Sequence, residues 1–301
     1  MKNYKITVVL PVYNGSNYLN FALDCVKNQT YQNLEVLIIN DGSKDEGKTE
    51  AIAKSYLSDP RFKYIEKPNT GVSDTLNTGI KMATGDFFVW LSHDDGFTYD
   101  SLERRLNKWV KQGEKENIVI STSTKFIDKD GKKIRRISAR SKDLNNIYDV
   151  YSSLTNGCSL LIPMSLIKGH EFRTDMKFMQ DYYLWCTFIS KGASFKNINK
   201  KITYSRVHGE QVTLKGREAY EHDFAIFSKD FIEPLFGQKE YRQIKKITYM
   251  MQKKIYIWPL FESYIKEYVS RLKKEKKWCV YSSIHLSIDK CIAKVIKMLR
   301  G

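Results

Sequence analysis

The feature that most narrows the fold is a repeat of short apolar runs, each followed at once by polar residues. Ile6-Thr-Val-Val-Leu10, Leu34-Glu-Val-Leu-Ile-Ile39, Phe62 to Glu66 and Phe87-Phe-Val-Trp-Leu91 alternate with segments of helical spacing at Asn17 to Asn28, Lys48 to Leu57 and Val72 to Ala83. Short runs with little polar alternation suit strands covered on both faces. The alternation predicts an α/β protein with a Rossmann-like, mostly parallel sheet flanked by helices.

The polar residues gather just past the strands: Tyr13-Asn14, Asp41, and His93-Asp94-Asp95. In open α/β sheets, ligands bind at the carboxyl ends of the strands near the topological switch point. These residues are therefore expected to converge on one cleft. Further elements are expected at Ser101 to Gln112 (helix), Asn117 to Ile127 (strand), a turn at Asp130-Gly131 with a strand on each side, Leu160 to Ile162 (apolar, ended by Pro163), Tyr182 to Ser190 (helix) and Ile202 to Val207 (strand).

After about Gly216 the chain turns basic, aromatic and helical, which divides it into residues 1–215 and 216–301. From Lys239 onward there are 16 Lys/Arg against 5 Asp/Glu, a net +11 of the chain's +16. The charge implies an anionic partner. An amphipathic basic segment with Tyr and Trp suits an anionic membrane surface; a solvated helical subdomain with a Tyr/Ile core is the other reading. Five scattered Cys without a CxxC point to a reducing compartment. The opening is short and polar, and no apolar run nears the roughly 18 residues of a membrane span. The expected location is cytoplasmic, peripheral on the inner face of the cell membrane.

Several stretches together resemble glycosyltransferase family 2, with its GT-A fold: Pro11-Val-Tyr-Asn-Gly15, Asn40-Asp-Gly-Ser43, Gly71 to Gly79, Thr84-Gly-Asp86, Trp90 to Asp95, Gln180-Asp-Tyr182 and His208-Gly-Glu-Gln211. They span about residues 5 to 215. The resemblance is to enzymes of bacterial surface-polysaccharide or glycolipid assembly. It implies an inverting hexosyl- or hexosaminyltransferase that takes a nucleotide-diphosphate sugar, with UDP the expected nucleotide, and a glycan or lipid-linked acceptor.

The resemblance also assigns roles. Pro11, Val12, Tyr13 and Asn14 match the first nucleotide loop, Asp41 the contact to base or ribose, and Asn77 a residue lining the donor cleft. His93 and Asp94, in the acidic motif after the fourth strand, are expected to bind the nucleotide sugar. A diphosphate needs a hard divalent cation, Mn²⁺ or Mg²⁺, held by oxygen ligands. Asp94, Asp95 and His208 are the expected ligands, although Ser92 stands where the family carries its first Asp. For His208 a surface-loop role is equally open. Asp181 matches the base that takes the acceptor proton during inversion. Asn156, Gly157 and Gln180 are placed on the acceptor side.

Three alternatives remain. A nucleotidyltransferase shares the sheet and the metal, but would carry a basic Gly-rich loop after the first strand, and Pro11 to Ser16 has no basic residue. A nucleic-acid or membrane binder would use the basic tail alone; nucleic acid is not expected, because strand-end carboxylates repel phosphate. An inactive relative is suggested by Ser92 and opposed by the presence of Asp94, Asp95 and Asp181.

Overall fold

The computed structural model describes residues 2–139, 143–152, 155–209, 222–223 and 225–232. The chain forms two compact units, Met1–Asp223 and Phe224–Gly301. In the second unit a π-helical turn, Ser228–Ile232, brings the rings of Phe227 and Phe231 to 5.3 Å. The basic tail at 239–301 and the Glu210-Gln211 pair lie outside the described residues.

The first unit opens as β1 (Ile6–Val12), α1 (Leu19–Lys27), β2 (Leu34–Asp41), α2 (Lys48–Ser55), β3 (Phe62–Lys67), α3 (Val72–Met82) and β4 (Phe87–Trp90). Strands β3-β2-β1-β4 lie side by side, all parallel, with Val8 opposite Val36 and Val9 opposite Trp90. Every residue of β1 and β2 is buried, as expected of strands covered on both faces. Helix α3 lies so close on β1 that a Cβ at Gly79 would come within 2.4 Å of Val9 Cγ1. Only glycine allows that approach.

Two polar residues interrupt the apolar run of the inner strands, and they answer each other. The Glu35 carboxylate accepts from Thr7 Oγ1 at 2.8 Å, from Thr84 N at 2.9 Å and from Lys63 Nζ at 2.8 Å. Burial pushes this carboxyl up, but the Lys63 ammonium and the other donors overcome it and hold the group at about 2.

The chain continues through β5 (Gly96–Phe97), α4 (Ser101–Val110), β6 (Ile118–Ile127), β7 (Lys133–Ala139), α5 (Ile147–Ser152), β8 (Leu160–Pro163), α6 (Met164–Ile167), α7 (Gln180–Ser190) and β9 (Ser194–Arg206). The sheet order is β3-β2-β1-β4-β8-β6-β9-β5, with β7 paired to β6. Strand β8 runs antiparallel between β4 and β6, while β9 returns parallel to β6. The amphipathic helix α4 buries Leu102, Leu106 and Trp109. Trp109 meets Phe87 and Tyr4 edge-on at 4.7 and 5.3 Å, a favoured aromatic geometry.

Strand β9 begins eight residues before the expected Ile202. It also carries extra residues: Ser121 faces Asn197, Ser123 faces Lys201 and Thr124 faces Thr203. These bulges redirect side chains around Lys200 and Lys201. The first unit runs to Asp223. One carboxylate oxygen of Asp223 accepts the backbone N–H of Lys177, Phe178 and Met179 at 2.8, 2.6 and 3.1 Å. It satisfies orphan donors just ahead of α7 and ties residue 223 to this unit.

Candidate active site

Because β1, β2 and β4 are parallel, the segments after them emerge at one edge of the sheet. Tyr13 and Asn14 follow β1, Asp41 closes β2, and Ser92 to Asp95 follow β4. The first two segments are stitched together. Asn14 adopts φ +48°; its N–H donates to Ser43 Oγ at 2.9 Å, and its Oδ1 accepts from Lys44 N at 2.7 Å. Ser43 Oγ in turn donates to Asn40 Oδ1 at 2.6 Å. Pro11 and Val12 are buried strand residues, whereas the Tyr13 side chain is 42% exposed and lies open at the strand end.

Asp41 is buried, and its oxygens are largely occupied. They accept from Lys67 Nζ at 2.6 Å, Thr70 N at 3.0 Å and Gly71 N at 2.8 Å. Burial opposes ionisation, yet Lys67 and the two backbone donors bring the carboxyl below its ordinary value. A carboxylate offers about four lone-pair sites; three are filled here, which fixes the 67–71 loop against Asp41 and leaves one on Oδ2 for a further donor.

The acidic motif splits into two roles. Asp94 is half-buried and its Oδ2 lies 3.0 Å from His208 Nε2. The His208 ring packs on Tyr18 at 4.9 Å between centroids. Asp95 is buried instead: Oδ1 accepts from Arg206 N at 3.0 Å and Oδ2 from Asn156 Nδ2 at 3.3 Å. Burial, and then the neighbouring Asp94 charge, push the Asp95 carboxyl well up from the ordinary carboxylate range. Both Asp95 oxygens are thus held by the protein, while the less buried Asp94 carboxylate meets the His208 ring. The His93 ring lies against Gly15.

Arg206, which the sequence reading passed over, organises this edge. Its Nε donates to the Asp94 carbonyl and its Nη1 to the carbonyls of Asp128 and Lys129, each at 3.0 Å. The guanidinium lies over Tyr18 and Phe21 at 4.6 and 4.7 Å. An arginine two residues before a candidate ligand histidine was the available signal. Arg105 is a second such residue: fully buried, it donates to the carbonyls of Cys158 and Leu160 and to Thr203 Oγ1 at 3.1, 3.0 and 2.9 Å.

The expected acceptor-side residues are drawn into the same framework. Asn156 Oδ1 accepts from Cys158 N at 2.7 Å and caps the 3-10 turn Gly157–Ser159. Gly157, expected on the acceptor side, permits a close approach of Trp90, whose Cε3 would lie 2.5 Å from a Cβ. Cys158 is buried, and burial pushes its thiol well up; its sulfur accepts from Ser92 N at 3.3 Å. That is the environment of a structural thiol, not a nucleophile.

The Asn77 amide donates to the Phe172 carbonyl at 2.9 Å and accepts the Phe172 N–H at 2.8 Å. Both polar ends are thereby used inside the protein. Asp181 stands half-buried in the first turn of α7, and Gln180 beside it is buried, with an Oε1 that has no partner among the described residues.

A parallel sheet that gathers a carboxylate–imidazole pair and two stitched loops at its carboxyl edge, and then continues through antiparallel β8, is the GT-A fold of nucleotide-sugar glycosyltransferases. Residues 7–168 match the profile of Glycosyl transferase family 2, and the chain belongs to that family. It is 33% identical over 317 residues to an uncharacterized glycosyltransferase of Rickettsia typhi, covering 98% of this chain and 96% of the relative. Among solved structures, S. aureus TarS 1-349 in complex with UDP superposes with a TM-score of 0.64 at 17% identity, covering 83% of this chain and 72% of that one. The mannosyltransferase PcManGT from Pyrobaculum calidifontis, in complex with GDP-Man and Mn²⁺, gives a TM-score of 0.60 at 15% identity, covering 97% and 81%.

Proposed function

We propose that this glycosyltransferase moves a hexosyl or hexosaminyl group from a UDP-sugar to a glycan or lipid-linked acceptor, with inversion, aided by Mn²⁺ or Mg²⁺. The observation that carries the reading is the Asp94–His208 pair at the carboxyl edge of the parallel sheet. Metal–ligand bonds of about 2.1 Å in an octahedron put adjacent ligands roughly 3 Å apart. The Asp94 to His208 separation of 3.0 Å fits two such positions. No group of three or more His, Cys, Asp or Glu suited to a metal occurs among the described residues. The donor diphosphate would supply further ligands, which is normal for Mg²⁺. Bound there, the ion would neutralise charge on the departing diphosphate.

The remaining work falls to the protein. The Tyr13–Asn14 segment, locked to Ser43 and Lys44, offers a preset wall for the nucleotide. Arg206 and Asp95 hold the Asp94 backbone so that its carboxylate need not reorganise. Asp181 takes the proton of the attacking acceptor hydroxyl. Its place at the N-terminus of α7 favours the ionised form through the helix dipole. The uridine preference is supported by TarS crystallised with UDP. No helix among the described residues is long and apolar enough to cross a membrane. The basic segment from Lys239 supports attachment to an anionic bilayer, next to lipid-linked acceptors.

Calorimetric titration with UDP, GDP, CDP and dTDP, with and without Mn²⁺, tests the reading. Metal-dependent binding of UDP that is lost in Asp94→Ala is expected. Absence of binding by every diphosphate would overturn it.

A further inference from the structure

We propose that the recess between the N-terminus of α4 and strands β5, β6 and β9 is a second carbohydrate site, which takes an anionic, phosphate- or carboxylate-bearing portion of the acceptor glycan. The proposal rests on the transferase reading above, since it presumes a glycan acceptor. The cavity has a volume of about 640 Å³, opens to solvent, and is lined by Lys125, Lys200, Lys201, Arg104, Tyr99 and Tyr204 among others.

Three observations define its chemistry. First, Lys125, Lys200 and Lys201 form no ion pair among the described residues, while Arg104 is matched by Asp100. Three unmatched cations therefore share one concavity. Gathering like charges is unfavourable without a counter-charge, and a concave surface concentrates their field. Second, the fold builds this cluster. The β9 bulges fall where Lys200 and Lys201 enter the recess, and bulges re-aim side chains beside functional sites. Lys125 reaches it from β6, placed 5.3 Å from the Tyr204 ring. Third, Tyr99 is 68% exposed at the rim, with an aromatic face free to cover a sugar ring. Phe97 and Ile202 add apolar surface to the lining.

Sugar fits this shape better than the other polyanions. Single-stranded nucleic acid is held by a succession of stacking aromatics along a groove, and here one ring stands exposed. A bilayer is met by apolar side chains projecting from an amphipathic face, whereas these cations line a hollow. The position also suits an extended acceptor. Asp95 directly precedes β5, and Lys201 lies five residues before Arg206 on β9, roughly 17 Å at about 3.3 Å per residue. That span is within the reach of an extended oligosaccharide.

The test uses the full chain, with an oligogalacturonate hexamer as the anionic probe and maltohexaose as the neutral one. Binding is followed by calorimetry in wild type, in a Lys125→Gln/Lys200→Gln/Lys201→Gln variant and in Tyr99→Ala, with thermal melting as the check on folding. Oligogalacturonate should bind wild type at low salt, weaken as salt rises, and lose at least tenfold in the triple variant. It should lose about threefold or more in Tyr99→Ala, which leaves the charge intact. Maltohexaose should bind far more weakly, and UDP affinity should stay within twofold throughout. Equal oligogalacturonate binding in wild type and the triple variant would place the contact elsewhere and overturn the proposal. So would phosphatidylglycerol vesicles or single-stranded RNA binding through these residues where oligogalacturonate does not. Failure of UDP to bind wild type sinks the transferase reading instead, so the two failures are separable.

Discussion

Asp94 Oδ2 and His208 Nε2 meet at 3.0 Å across 114 residues of chain. Nothing local brings them together: one follows β4, and the other follows β9. If both face the metal, their removal should act on metal-dependent binding and leave the fold intact. Asp94→Asn and His208→Ala are each expected to weaken UDP binding at least tenfold in Mn²⁺, with little change in Mn²⁺-free titrations. Losses of equal size with and without metal would argue that the pair serves packing alone.

Asp181 should separate chemistry from donor binding. Asp181→Asn keeps the shape of the side chain and removes the base. General-base catalysis contributes about 10²- to 10⁴-fold, so turnover of a UDP-sugar should fall at least a hundredfold while the UDP affinity stays near wild type. A matching loss of UDP binding would move Asp181 out of the base role.

Glu35 sets a pH dependence of stability. Its folded value of about 2 lies below the ordinary 4.5. A lowered carboxyl contributes stability that is present above its unfolded value and is lost as the pH falls from about 4.5 toward 2. Lys63 is more than half exposed, so solvent screening trims the gain to about 1–2 kcal/mol. Urea melts at pH 5, 4 and 3 should show wild type losing stability faster than Glu35→Gln. Parallel pH profiles for the two proteins would contradict this.

Gly157 sits against the face of Trp90. A methyl group there would collide with the ring at 2.5 Å, and overpacking of this kind costs about 1–3 kcal/mol. Gly157→Ala should melt lower, and the companion change Trp90→Leu should recover part of the loss. Additive destabilisation in the double variant would show that the two positions do not share the space.

The parallel half of the sheet was legible because β1, β2 and β4 are nearly unbroken apolar runs, and burial on both faces leaves that signature. Their polar ends were legible for the same reason: each follows directly on a strand. Elsewhere the signal is diluted. The first half of β9 carries Lys196, Asn197, Lys200 and Lys201, which hide it as a strand, and β5 is two residues long. The role of Asp223 depends on contacts 44 to 46 residues away, and no local pattern reports those. The division of labour between Asp94 and Asp95 is likewise set by Arg206 and Asn156, which reach them from other strands and turns.

The bond pair between Asn77 and Phe172 bears on how relatives of this chain should be compared. An amide that gives and takes one hydrogen bond with the same backbone imitates a strand neighbour. Leucine has neither function, aspartate loses the donor, and glutamine holds both one methylene too far out. Natural selection therefore has a reason to keep asparagine at this position that involves no sugar and no nucleotide. Invariance there, in any lineage, would be explained by an architectural joint between helix α3 and the segment leading to α7, whatever donor the enzyme prefers.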